Sequence, residues 1–201
     1  MDIDGEANAA DAEALWRQRS APENQAPVSV AFDAVLVRTE DAAVFVSGLQ
    51  VYRNGVAFTL EIRTRTVLLG PGGAGSVLHD HGPNAVLVGV ELADGRRCVH
   101  GRHGMSDAAG PALNSYRGGG SSRRAELNLF LSPLPPAGVN TLLCAWPWLG
   151  ISDRSTLLPT EDIHRAAANV IELWPWEPEV ERPDRDRTPD IPADSWFAPA
   201  N

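Results

Sequence analysis

Apolar and polar residues alternate with a period of two along much of residues 28–158, and clusters of Gly, Pro, Asn and Asp interrupt the alternation at short intervals. Period two puts successive side chains on opposite faces of an extended strand, so the pattern argues for antiparallel sheets with one face in a core. Strands are predicted over 28–39, 43–52, 56–66, 85–92, 96–100, 124–132, 141–146 and 155–158. Phe58, Leu60 and Ile62 share one face of the third strand, whereas Thr59, Glu61 and Arg63 share the other, which leaves that sheet half exposed. Asn54-Gly55 and Asp94-Gly95 separate two pairs of these runs, and both dipeptides tolerate the positive φ angles of type I′ hairpin turns.

A single helix is predicted with conviction, over 161–174. Thr160 suits its N-cap, Glu161 and Asp162 suit the positive end of its dipole, and Ile163, Ala167, Val170 and Trp174 fall along one face. Many antiparallel strands followed by one closing helix imply an all-β antiparallel β-sandwich, Ig-like in outline, with a closed barrel as the alternative. The segments 70–82 and 101–122 then read as long surface loops.

Charge locates the domain boundaries. The net −9 divides into −4 over residues 1–27, −1 over 28–176 and −4 over 177–201. The near-neutral middle is therefore the packed domain. The last segment is rich in Pro and charge and poor in branched apolar residues, so it cannot offset its ordering entropy and reads as an extended or disordered acidic tail. Residues 1–27 read as mostly disordered, with a short helix around Ala9 to Arg19. Neither tail is basic, so neither nucleic acid nor a membrane surface is an expected partner. No apolar run approaches the roughly 20 residues of a spanning helix, and the acidic N-terminus is unlike a signal peptide, so a cytoplasmic location is expected. Cys98 and Cys144 are too few for a disulfide scaffold and read as buried, reduced thiols.

All 17 basic side chains are Arg and the chain has no Lys, which excludes Schiff-base chemistry, pyridoxal phosphate attachment and a P-loop lysine. No Gly-x-Ser-x-Gly elbow appears either. No cofactor is expected.

Several runs resemble a family of uncharacterised actinobacterial proteins: Val46-Ser47-Gly48-Leu49, the segment 87–97, Arg117 to Arg124, Leu131 to Gly138, and Cys144-Ala145-Trp146-Pro147 with Gly150-Ile151 and a late helix. The likeness spans most of 44–176. It departs at Ser132, where the relatives often carry an aromatic residue. The resemblance implies a β-rich domain in a bacterial cytosol and carries no activity.

Three constellations remain as candidate sites. His79, His81, His100 and His103 gather four imidazoles within 25 residues, a first shell that suits zinc, iron or nickel, although the flanking Gly82, Gly101 and Gly104 suggest solvated loops. Arg117, Arg123 and Arg124 flank Gly118-Gly119-Gly120, where backbone amides and guanidinium groups can cradle an anion. The tripeptide Trp-Pro-Trp occurs at 146–148 and again at 174–176, and Trp196-Phe197 stands in the acidic tail. Trp148, Trp176, Trp196 and Phe197 are the candidate partner-binding residues, because exposed aromatics dominate interface hot spots. The leading expectation is a non-enzymatic protein-interaction module. The alternative is a metal-binding domain or metal-dependent enzyme built on the histidine loops.

Overall fold

The computed structural model describes residues 13–66, 77–78, 84–101, 110–178, 191 and 195–197. Its strands are β1 (Gln25–Ala26), β2 (Val28–Arg38), β3 (Ala42–Tyr52), β4 (Gly55–Thr64), β5 (Leu87–Glu91), β6 (Arg97–Val99), β7 (Ala112–Gly120), β8 (Arg124–Ser132), β9 (Thr141–Trp146), β10 (Ile151–Leu157) and β11 (Ile171–Glu172). Residues 13–18 are helical (α1), and a second helix, α2, spans Thr160–Ala167. Among the described residues no helix is long and apolar enough to cross a membrane.

The strands form a five-stranded sheet ordered β2-β3-β4-β8-β7, a four-stranded sheet ordered β10-β9-β5-β6, and a small β1-β11 pair, all antiparallel. With β3 taken as the first strand, the orders β3-β4-β8-β7 and β10-β9-β5-β6 reproduce the two sheets of an immunoglobulin-type Greek key, and β2 is an added edge strand. The expected sandwich is therefore present, and its open sheets exclude the barrel. The core lies between the inner faces, with Val44, Val46, Leu60, Ile62, Leu127 and Leu129 of one sheet facing Val88, Val90, Leu142 and Trp146 of the other.

Strand β3 shows how register serves that core. Its buried residues are Val44 and Val46 in one half, then Leu49 and Val51, a switch from even to odd positions. A bulge between Ser47 and Leu49 absorbs the extra residue, and Gly48 takes φ +59° there. Without the bulge, the second half of the strand would turn its apolar side chains to solvent.

Both hairpin turns depart from the sequence expectation. Asp94-Gly95 does not form a type I′ turn: Gly95 N–H donates to the Leu92 carbonyl at 2.9 Å, so Ala93 and Asp94 are the central residues and Gly95, at φ +84°, follows them. In the other hairpin, Tyr52 pairs with Gly55, which makes Arg53-Asn54 the turn and Gly55 the first residue of β4. Neither Asn54 nor Gly55 has a positive φ. Gly55 serves packing instead, since a Cβ there would sit on the Leu131 carbonyl and 2.7 Å from the Phe130 ring.

Three further expectations are corrected. The segment 101–122 is not one long loop, because Ala112–Gly120 forms β7, and the exposed edge position of its glycines hid the strand from a reading of side-chain pattern. The predicted helix 161–174 ends at Ala167. Val170 is buried, and Ile171–Glu172 pair with β1, so backbone partners from the N-terminal segment replace further helical turns. The described part of 1–27 is not a tail: α1 and β1 pack onto the domain and Asn24 is buried. Residues 1–12 of the expected N-terminal tail, most of the expected 177–201 tail and most of the 70–82 loop lie outside the described residues.

Candidate functional site

The two ends of the domain's chain meet at one end of the sandwich. The last carbonyls of a helix lack intrahelical partners, and here Asn54 Nδ2 of the β3–β4 turn donates to the carbonyls of Arg17, Gln18 and Ser20 at 3.3, 3.3 and 3.0 Å. That amide fixes α1 against the five-stranded sheet. The C-terminal strand is tied to the same place: Leu173 N–H donates to the Asn24 carbonyl at 2.8 Å, Asn24 Nδ2 donates to the Trp174 carbonyl at 3.0 Å, and Arg53 donates to the Val170 carbonyl at 3.3 Å. The Arg17 guanidinium then stacks over the Trp176 ring at 3.9 Å.

This clasp leaves its aromatics in solvent. Trp16, Trp174 and Trp176 are 63%, 58% and 43% exposed and line a groove of about 120 Å³ together with Pro22, Glu23 and Glu177. Trp148 is exposed on the turn from β9 into β10. Strand register places that turn at the same end, because β9 ends beside Leu87, β6 ends at the His100 N–H bond to Val88, and the His100 ring reaches the Leu113 carbonyl of β7 at 3.5 Å.

A second cavity, of about 520 Å³, opens beside the clasp and is lined by Trp16, Arg19, Ser20, His100, Asn114, Tyr116 and Phe130, among others. Its floor is Phe130, buried against Tyr52 in an edge-to-face contact at 5.9 Å, and the missing Cβ of Gly55 makes room for that ring. Arg19 donates to the Gly110 carbonyl at 3.2 Å while Asn114 Nδ2 donates to the Arg19 carbonyl at 3.3 Å, so α1 and β7 brace each other across the opening. A register shift between Ser115 and Arg117 falls at Tyr116, and burial raises the phenol above its ordinary range.

A third, shallow groove of about 470 Å³ runs over the outer face of the four-stranded sheet. Gly89 is its floor, opposite Val99 on β6 and Leu143 on β9. The Glu91–Arg97 ion pair closes one end at 2.8 Å.

The sequence-predicted residues are distributed unevenly. His79, His81 and His103 lie outside the described residues, whereas His100 lines the cavity next to α1. Among the described residues, no three His, Cys, Asp or Glu come together as metal ligands. Arg117, Arg123 and Arg124 stand on the exposed β7–β8 hairpin, where Gly118, Gly119 and Gly120 pair with Leu127, Glu126 and Ala125. Backbone in a ladder cannot converge its amides on one anion, and Arg124 is matched by Glu126 at 3.3 Å and Glu61 at 3.7 Å. Trp148 and Trp176 belong to the aromatic end. Trp196 and Phe197 are 89% and 73% exposed and touch each other edge to face at 5.0 Å. The remaining histidine, His164, is structural, its Nε2–H donating to the Pro135 carbonyl at 2.8 Å.

Sequence reasoning missed Trp16, Arg19 and Tyr116. The signal for the first two was the short helix read around Ala9 to Arg19, which a charge partition assigned to a tail. Cys98 and Cys144 are buried and free as expected, and burial pushes their thiols up to about 11 and about 12. They cannot join, because both lie in the same sheet on β6 and β9 with β5 between them, and two strand spacings of about 4.8 Å exceed the reach of a disulfide. The chain matches no family model, no curated protein and no solved structure.

Proposed function

We propose that this protein is a non-enzymatic interaction module that engages a protein partner through its aromatic end. The observation that carries the reading is the gathering of Trp16, Trp148, Trp174 and Trp176, all substantially exposed, at the end where the N-terminal helix and the C-terminal strand clasp. Tryptophan buries a large area at low entropic cost, and a rigid scaffold beneath it raises the yield of each contact. Strand addition is the competing mode, and the sheet edges disfavour it. β2 carries two register shifts, β7 and β10 one each, and β6 is three residues long. Such interruptions blunt an edge against pairing. Contact through side chains at the aromatic end remains.

The test is affinity capture on the full chain followed by reconstitution with the purified partner. The reading predicts a partner that binds wild type and loses at least tenfold in affinity to Trp16→Ala combined with Trp174→Ala, with the thermal transition of the variant within a few degrees of wild type. A partner held equally by both forms would place the contact elsewhere.

A further inference from the structure

We infer that the outer face of the four-stranded sheet binds the same face of a second copy of this chain, so that two copies associate about a two-fold axis. The middle of that face is apolar. Gly89 lies between Val99 on β6 and Leu143 on β9, and its missing side chain leaves the hollow of about 470 Å³. Leu87 stands two residues along β5 from Gly89, and both Leu87 and Val99 are exposed beside the hollow. Leu157, exposed on β10, extends the apolar surface to one corner, because it pairs with Thr141 and Thr141 pairs with Glu91.

Opposite charges occupy two opposite corners of the face. Strands β6 and β10 are its edges. Arg97 on β6 is level with Glu91, whereas Asp153 sits in the β10 bulge beside Ala145, which is level with Leu87 at the other end of β5. Arg97 meets Glu91 through one nitrogen at 2.8 Å, and a guanidinium has donors left for a second carboxylate. Arg154 turns to the Asp153 carbonyl and to Ser152 Oγ, at 3.4 and 3.5 Å, and the Asp153 carboxylate makes no ion pair among the described residues.

This arrangement complements itself, which is the condition for a two-fold interface. An axis lying in the face, along the diagonal through the Leu157 corner, sets Arg97 of each copy against Asp153 of the other. The same rotation places Leu87 of one copy on Val99 of the other and brings the two Leu157 side chains together. It crosses the strands of the two copies near a right angle, one of the two established ways for sheets to stack. Four strands spaced about 4.8 Å, with about six residues rising about 3.3 Å each, give a face of roughly 400 Å² per copy, about half that of a standard stable interface, so the association is weak and reversible.

Sedimentation equilibrium of the full chain tests the inference, run in about 0.15 M salt so that repulsion between two copies of net charge −9 is screened beyond about 8 Å. The expected result is a monomer–dimer equilibrium with a dissociation constant on the order of 10–100 µM. Leu87→Arg should weaken it at least tenfold by setting a charge on Val99 of the other copy. Asp153→Arg should weaken it at least tenfold by facing Arg97 with a like charge, which keeps the test decisive if the Leu87 variant does not fold. Val35→Arg, at an equally exposed apolar position on β2 in the other sheet, should leave it unchanged. A monomer up to millimolar concentration, a dimer indifferent to both Leu87→Arg and Asp153→Arg, or one lost equally to Val35→Arg would overturn the inference.

Discussion

The Arg17 guanidinium stands 3.9 Å from the centre of the Trp176 ring, joining a helix that precedes the sandwich to a segment that follows it. The contact adds to the β1–β11 pairing and the Asn24 bonds, so the segments that flank the sandwich form one clasp. A cation over an exposed ring is worth about 0.5–1 kcal/mol. Trp176→Ala should therefore leave global stability nearly unchanged and loosen the clasp locally. Hydrogen exchange should show faster exchange of the amides in 13–18 while those of β4 and β8 stay protected. Equal protection throughout would mean that the Asn54 and Arg19 hydrogen bonds hold the helix without the Trp176 ring.

Asn140 is fully buried and ties three segments together. Its Nδ2 donates to the Pro136 carbonyl at 2.8 Å, the Gly138 carbonyl at 3.3 Å and Thr160 Oγ1 at 3.0 Å, and its Oδ1 accepts from Ala93 N–H at 2.9 Å. Asn140→Ala strands those groups, and buried unsatisfied polar atoms cost roughly 1–3 kcal/mol each. A loss of about 2–4 kcal/mol is expected, equivalent to a fall in Tm of roughly 5–15 °C, measured by thermal denaturation. Thr160→Val, which removes one partner only, should cost less.

Two glycines separate crowding from backbone strain. At Gly55 a Cβ would collide with backbone and with the Phe130 ring, so Gly55→Ala should cost about 1–3 kcal/mol and disturb the Tyr52–Phe130 contact. At Gly48 nothing lies within 4 Å, and only the positive φ opposes a side chain. Gly48→Ala should cost about 1–2 kcal/mol, and Gly48→Asn less, since Asn tolerates this conformation. Denaturant unfolding distinguishes the two cases, because Asn should rescue position 48 and not position 55.

Burial raises the Cys98 thiol to about 11, against a small lowering by the Val90 backbone bond, and the Cys144 thiol to about 12. The folded state thus holds both protons more tightly than the unfolded chain does. The resulting contribution to stability is complete below the ordinary thiol value near 9 and is lost as pH rises from there through about 11 and 12. Alkylation at pH 8 should label neither thiol in native protein and both in urea, and the denaturation midpoint should fall above pH 9. Cys98→Ala combined with Cys144→Ala should flatten that fall.

Much of the sandwich was legible because period-two alternation directly encodes which residues face a core. Strands β8 and β9 coincide with the predicted 124–132 and 141–146, where the alternation is clean. β7 was not legible, since Arg117-Gly118-Gly119-Gly120 buries nothing and a strand stabilised by its neighbour's backbone leaves no side-chain pattern. Little of the candidate site could be read. Trp148 and Trp176 stood out through the repeated Trp-Pro-Trp, but Trp16 and Arg19 acquire their surroundings only from residues such as Asn54 and Asn114, tens of positions away.

By itself, the sequence determined the fold class, the core-facing residues, the reduced state of two buried thiols and the exclusion of lysine chemistry, all of which depend on residue type and local spacing. The tertiary structure decided the order of the strands, the clasp between the chain ends, the turn geometry at Asn54 and the cavity at His100. Those depend on long-range pairing, where a backbone carbonyl or ring offered by a distant segment outweighs local propensity. The truncation of α2 at Ala167 is the clearest case: its residues suit a longer helix, but β1 offers Ile171 and Glu172 a strand partner, and the chain follows the pairing.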